Sequence, residues 1–449
     1  MAARRQTKTG GRPATKGVIP GRYALSVGRP PSPAPEDWEW VPLSTVARLE
    51  TGHTPSRKHP EYWDGDVPWI GIRDATDNHG RTIHDTYQHT NAEGITNSSA
   101  RILPKHTVCL SRTASVGYVV VMGRPMATSQ DFVNWVCSED LDYRYLKAVL
   151  MAEHETYAWF AHGTTHQTIY FPEVKAFHIC LPPRGVQERI GDTLESLEQR
   201  IELNRRMSRT LEAIARAIFK SWFVDFDPVH AKLEGREPVG MDPATAALFP
   251  DSFQDSPLGK IPKGWEVSTV GKEFRLTMGQ SPPGSTYNEK GEGMPFFQGR
   301  RDFGLRFPTQ RVYCTAPKRV AEEGDTLVSV RAPVGDVNMA PVQLCLGRGL
   351  AGVRHSSGSR SYTYCSMLSL QERFRVFESE GTVFGAINKG QFSGLDWVNP
   401  GGDLVKLFEE LLSPLDESIR ANALESSRLE SVRDSLLPRL LAGSLEVTD

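Results

Sequence analysis

The sequence predicts an α+β protein: two pseudo-repeated α/β domains separated by two long antiparallel helices that form a coiled coil. Three observations predict it. From Ile190 to Trp222 the seam positions recur with alternating spacings of four and three, through Leu194, Leu197, Ile201, Asn204, Ser208, Leu211, Ala215 and Ile218. A seven-residue repeat held for about five heptads marks a coiled-coil seam. Shifted by 218, the seam reads Phe408, Leu412, Leu415, Ile419, Asn422, Ser426, Leu429, Arg433, Leu436 and Leu440, with both polar positions in place. The globular segments repeat too. Val116, Gly117, Gly163, Thr164 and Ile169 match Val334, Gly335, Gly381, Thr382 and Ile387 at the same offset. Earlier in each half the offset is 227, pairing Trp38, Leu49, Gly52, Pro55 and Pro68 with Trp265, Leu276, Gly279, Pro282 and Pro295. One seam alone also fits an amphipathic helix packed on its own domain; the second copy makes the chain a duplication.

In chain order, residues 1–35 carry Arg4, Arg5, Lys8, Arg12, Lys16, Arg22 and Arg29 with no acidic residue, and read as a disordered basic tail. Residues 36–185 form the first domain and 186–223 the first long helix, about 55 Å long at about 1.5 Å per residue. That length spans about 16 base pairs of B-DNA. Residues 224–262 form an ordered connector, residues 263–403 the second domain, 404–442 the second helix and 443–449 a short tail. Because the first helix leads toward the second domain and the second leads away from it, the two are expected to run antiparallel. Asn204 and Ser208 are then expected to oppose or adjoin Asn422 and Ser426, fixing register at some cost in stability. Ser413, Pro414 and Asp416 resemble a helix N-cap with proline in the first turn, so the second helix is expected to restart near Pro414.

With 449 residues, 39% hydrophobic and 24% charged, the chain has the composition of a soluble globular protein with length for two cores. It has neither an apolar run of about 20 residues nor a signal segment, and a cytoplasmic location is expected. Cys109, Cys137, Cys180, Cys314, Cys345 and Cys365 form no CxxC pair, as in a reducing compartment.

The connector FVDFDPV, the stretch GMDPATAALFP, the opening KIPKGWEV of the second copy and the two matching helices together resemble the specificity (S) subunit of type I restriction-modification systems, from about Asp37 to Glu446. The resemblance implies two target recognition domains, each reading one half of a bipartite double-stranded DNA sequence and held apart by the helices. It also implies two methyltransferase (modification) subunits docked on the helices, and restriction/translocase subunits in the full complex. No cofactor is expected on this chain; S-adenosylmethionine, ATP and Mg are expected on the partners.

The loops best placed to read bases come in equivalent pairs. PWIGIRDATDNHGR and PFFQGRRDFGLR set Arg73, Asp74 and Arg81 beside Arg300, Arg301, Asp302 and Arg306. Arginine can grip guanine O6 and N7 with two N–H groups, and aspartate can accept from cytosine N4. SRTASVG and SVRAPVG supply Arg112 and Arg331, and AHGTTHQTIY and SEGTVFGAINKG supply Thr165, His166, Gln167, Asn388 and Lys389. Each of these polar groups equally fits a solvated or fold-stabilising loop. The overall net charge is −2, and residues 36–184 hold 13 Lys and Arg against 18 Asp and Glu, whereas residues 263–403 hold 17 against 14. Phosphate neutralisation is therefore expected to lean on partner subunits.

Catalytic motifs fail on their surroundings. GRGLAG, residues 347–352, is followed by VRHSSGSRSY, which is no helix, and its first-copy equivalent SQDFVN lacks the glycines. SPPG, residues 281–284, has the wrong ends for an amino-methyltransferase motif. Asp225 and Asp227 have no counterpart in the second copy, and Pro228 stops the helix, so this carboxylate pair reads as packing. Ten of the twelve histidines lie between 53 and 178, with no spacing that completes a zinc site. No phosphate-binding G-x-x-x-x-G-K-[ST] loop and no nuclease carboxylate cluster is present. No catalytic or metal-binding residue is assigned, leaving a non-catalytic DNA-reading subunit, with a two-domain protein-interaction scaffold that does not bind DNA as the alternative.

Overall fold

The computed structural model describes residues 17–161, 167–379 and 385–445. These fall into two compact units, residues 1–201 with 428–449, and residues 202–427. Both long helices contribute to both units.

In the first unit, five strands form one sheet in the order Ala47–Thr51, Phe132–Cys137, Val108–Ser111, Val119–Met122, Thr82–Ile83. All neighbours are antiparallel except the last pair. The central strands are valine-rich and buried on both faces, as β-branched side chains favour. The helix Tyr143–Ala152, capped by Asp142, shares a core with Val108, Val133, Ile190, Leu194, Leu440 and Leu441. The strand Trp63–Ile70 carries the first candidate loop and pairs in parallel with Ala127–Thr128.

The second unit repeats this plan. Its main sheet runs Phe274–Met278, Leu350–His355, Thr326–Ser329, Val337–Met339, and Met294–Phe297 pairs in parallel with Leu344–Leu346. Val108–Ser111 becomes Thr326–Ser329, and the first long helix, Arg184–Phe223, becomes the second, Gly402–Leu441, each displaced by 218. Two glycine pairs recur, each for its own steric reason. A Cβ on Gly52 or Gly279 would lie 1.9 or 2.1 Å from a carbonyl oxygen, and Gly117 and Gly335 hold φ at +96° and +93°, a region costly for other residues. The core of this unit gathers Phe219, Trp222, Tyr362, Phe408 and Leu412.

The long helices lie within two residues of their expected bounds, and every seam position is buried or half-buried. In the second unit Asn204 meets Glu425 and Ser208 meets Asn422, so the helices run antiparallel there. Asn422 donates to Ser208 over 3.4 Å, as the expected register requires, whereas Asn204 donates to the Glu425 carboxylate at 2.9 Å and not to Ser426.

Two sequence expectations are corrected. The second helix does not restart at Pro414; it runs unbroken from Gly402 to Leu441. Pro414 and Glu410, whose carbonyl loses its helical partner, are both exposed, and such a loss is cheapest where water can reach. Nor are residues 17–35 a disordered tail. Ile19–Pro20 and Leu25–Val27 extend a sheet through Phe177–Leu181, with Ala24 to Val27 buried. Buried Glu153 holds this segment by accepting the Arg22 and Tyr23 N–H groups at 2.8 and 2.7 Å. Arg4, Arg5, Lys8, Arg12 and Lys16 lie outside the described residues. The connector is ordered, as expected, with Phe226 packed on Phe253 and Trp265 and Asp225 paired with Lys220.

Candidate nucleic-acid interface

The first loop pair follows corresponding strands. Beyond Trp63–Ile70, Gly71 enters the short helix Ile72–Asp77. Exposed Arg73 stands in its first turn, 4.0 Å from the Tyr87 ring centroid and 3.7 Å from the Asp77 carboxylate. Tyr87 is 56% exposed and donates its hydroxyl to Asp77. A guanidinium and an aromatic face thus share one open platform, a combination suited to nucleic acid. Asp74 is not part of it. Its carboxylate is buried, accepting the Gly71 and Tyr87 N–H groups at 2.9 Å each. Burial raises its pKa, with the two N–H bonds acting in the opposite sense. The expectation that Asp74 reads a base is corrected, because both its oxygens serve to close the loop. Arg81 is half-buried, and its carbonyl accepts the Val121 N–H at 3.0 Å.

In the second unit, Arg300–Asp302 form a 3-10 turn after Met294–Phe297. Arg300 and Arg301 are exposed; Arg300 pairs with Asp336, and Asp302 accepts from Arg311 at 3.2 Å. Arg306 turns inward and is 3% exposed. Its Nε donates to Glu212 at 2.7 Å, its Nη1 lies 2.9 Å from Asp416, and its guanidinium stacks 3.8 Å from the Tyr364 ring centroid. Burial alone would lower its pKa; Asp416, Tyr364 and Glu212 outweigh that and raise it. Arg306 is thereby corrected as a base reader: it is a buried anchor. Sequence could not reveal this, since its partners stand on two distant helices.

The second and third loop pairs meet in each unit. Thr113 bridges Thr168, their hydroxyls 2.8 Å apart, and the Ile169 N–H donates to the Arg112 carbonyl. Correspondingly, Arg331 bridges Ala386 and the Ile387 N–H donates to Val330. Arg112 is half-buried over Phe171, donating to the Gln130 carbonyl, and burial lowers its pKa. Arg331, Gln167 and Lys389 are exposed. Asn388 caps the helix Lys389–Ser393, accepting the Gln391 N–H at 3.0 Å. Thr165 and His166 lie outside the described residues.

Two features escaped the sequence reading. Arg57 stacks 3.8 Å from the Trp63 ring centroid. An open cleft of about 460 Å³ is lined by Arg216, Arg300, Arg301, Phe303, Leu305 and Tyr364, among others. Arg216 stands on the first long helix off the seam, a position that sequence marks only as surface. Among the described residues no helix is long and apolar enough to cross a membrane, and no group of three His, Cys, Asp or Glu is arranged to hold a metal ion.

Residues 35–213 match the family model described as the type I restriction modification DNA specificity domain. The chain is 32% identical over 279 residues to the putative type I restriction enzyme MjaX specificity subunit of Methanocaldococcus jannaschii, covering 61% of each chain and so less than two thirds of that relative. It is 25% identical over 435 residues to the type I restriction enzyme MjaIX specificity subunit of the same organism, covering 92% of this chain and 95% of the relative. The crystal structure of the type-I restriction-modification system S subunit from M. genitalium shares the fold, with a TM-score of 0.53 at 16% identity over 92% of this chain and 97% of that one. The domain-and-helix unit occurs twice in this structure, and the chain's likeness to a type I restriction-modification specificity subunit runs over 92% of its length.

Proposed function

We propose that this chain is the DNA sequence-specificity subunit of a type I restriction-modification complex, each recognition domain reading one half of a bipartite double-stranded target. The observation that carries this reading is the repetition of exposed arginine at one structural position. Arg73 and Arg300, displaced by 227, both follow the strand that pairs in parallel with its neighbour. An arginine there has the fork that guanine requires. The long helices set the spacer between half-sites and dock two methyltransferase subunits. Leu203, Met207 and Ile214, 47%, 45% and 44% exposed, support such docking. Their spacings of four and seven place them in one apolar stripe distinct from the seam.

The chain is non-catalytic in this reading. S-adenosylmethionine, ATP and Mg are held by the modification and restriction/translocase subunits, and the complex works in the cytoplasm. A mobility-shift selection from a random duplex library, with modification subunits present, tests the reading. Enrichment of a two-part motif is expected. Stable binding to the modification subunits without enrichment of any sequence would favour the protein-interaction scaffold.

A further inference from the structure

We infer that Arg306 is a positioning residue for base reading by the second domain, tying the loop that carries Arg300 and Arg301 to both long helices. The inference rests on the reading that this domain reads DNA. Arg300, Arg301 and Arg306 share the segment between the strands Met294–Phe297 and Tyr313–Cys314. Its exposed end lines the arginine cleft, and its buried end is gripped from two sides. Glu212 belongs to the first long helix and Asp416 to the second, so one guanidinium bridges both. Tyr364 lies under it and donates its hydroxyl to the same Glu212 oxygen at 3.2 Å. The backbone is fixed as well. The Arg306 carbonyl accepts the Met339 N–H at 2.8 Å, and the Gly304 carbonyl accepts from the Asn338 amide at 2.9 Å.

The choice of arginine follows from geometry. A planar fork of donors can satisfy carboxylates on two helices at once, which a lysine ammonium on a flexible stem does less rigidly. Stability alone is a weak reason to keep such a group, because well-packed apolar side chains often replace buried ion networks without loss. The charge balance is also tight: Glu212 Oε2 and Asp416 Oδ2 are buried without hydrogen-bond partners, and Arg216, 3.7 Å from Glu212, adds a further attraction. The first unit is fastened differently. There Lys147 and Arg144, on the helix Tyr143–Ala152, pair with Glu198, Asp192 and Glu195 of the first long helix. In the second unit the fastener lies on the arginine-bearing loop itself.

The test uses the full chain co-expressed with modification subunits, as wild type, Arg306→Met, Arg306→Lys and Asp416→Asn, with methylated sites read by sequencing and melting followed in parallel. Arg306→Met is expected to relax discrimination in the second domain's half-site by about tenfold or more, the scale of one misplaced base contact, and to leave the other half unchanged. Arg306→Lys restores part of that discrimination, and Asp416→Asn, which keeps the Glu212 bond, gives a smaller loss in the same half. If the Met variant fails to fold, the Lys and Asn variants carry the test. Folded variants with lowered melting temperature and an unaltered motif overturn the positioning role while leaving the domain's DNA reading intact. Wild-type methylation without a two-part motif overturns the reading on which it rests.

Discussion

The Asn422 side-chain amide donates to the Ser208 hydroxyl over 3.4 Å, joining two residues 214 positions apart within a buried helical seam. One seam position away Asn204 donates to Glu425, while its own side-chain carbonyl oxygen is buried without a partner. Such polar seam residues lower stability and restrict alternatives.

Replacing Asn204 and Asn422 together with leucine is therefore expected to raise stability by about 1 kcal/mol or more and to loosen helix register. Thermal melting and solution size measurements check both effects. Lower melting with unchanged assembly would contradict the register described here.

The heptad pattern and its copy made the long helices legible to within two residues, because seam burial is a local, periodic property of sequence. The duplication was legible for the same reason, through glycines such as Gly52 and Gly279 that both copies need. What escaped was decided by distant partners. Leu25 to Val27 looked like part of a basic tail until Phe177–Leu181 supplied a strand to pair with. Asp74 and Arg306 looked like surface readers, yet a loop amide at Tyr87 claims one and two helices claim the other. Pro414 suggested a helix start, but its exposed side tolerates the lost bond.

His79 provides a pH prediction. It lies beside His154 and Tyr118 and accepts the Val119 N–H at 3.0 Å. Burial first, then His154, Arg433 and Lys147, push its pKa from 6.5 down to about 4. Between those values the unfolded chain binds a proton that the folded chain refuses, so this contribution is present above pH 6.5 and is lost as pH falls toward 4. Melting curves at pH 7 and pH 5 are expected to show a smaller drop for His79→Asn than for wild type, by on the order of 2 kcal/mol. Equal drops would assign the acid sensitivity to other groups.

Helix length is open to direct change. Inserting one heptad after Met207 and another after Glu425 keeps the seven-residue seam. Asn422 and Ser208 stay on the same side of both insertions, while Asn204 parts from Glu425. Each helix lengthens by about 10.5 Å, equivalent to roughly three base pairs. Methylated sites from cells carrying the variant are expected to retain both half-sites with a spacer about three base pairs longer. Undiminished methylation at the original spacing would show that the helices do not set the distance.

The central claim is that each domain reads its own half of the target, and exchanging one domain tests it most directly. Residues 263–403 are replaced by the equivalent domain of a related specificity subunit, and the methylated motif is sequenced with the modification subunits unchanged. The account predicts that one half of the motif changes to that of the donor while the other half stays as it was. A change in both halves, or in neither, would contradict independent reading by the two domains.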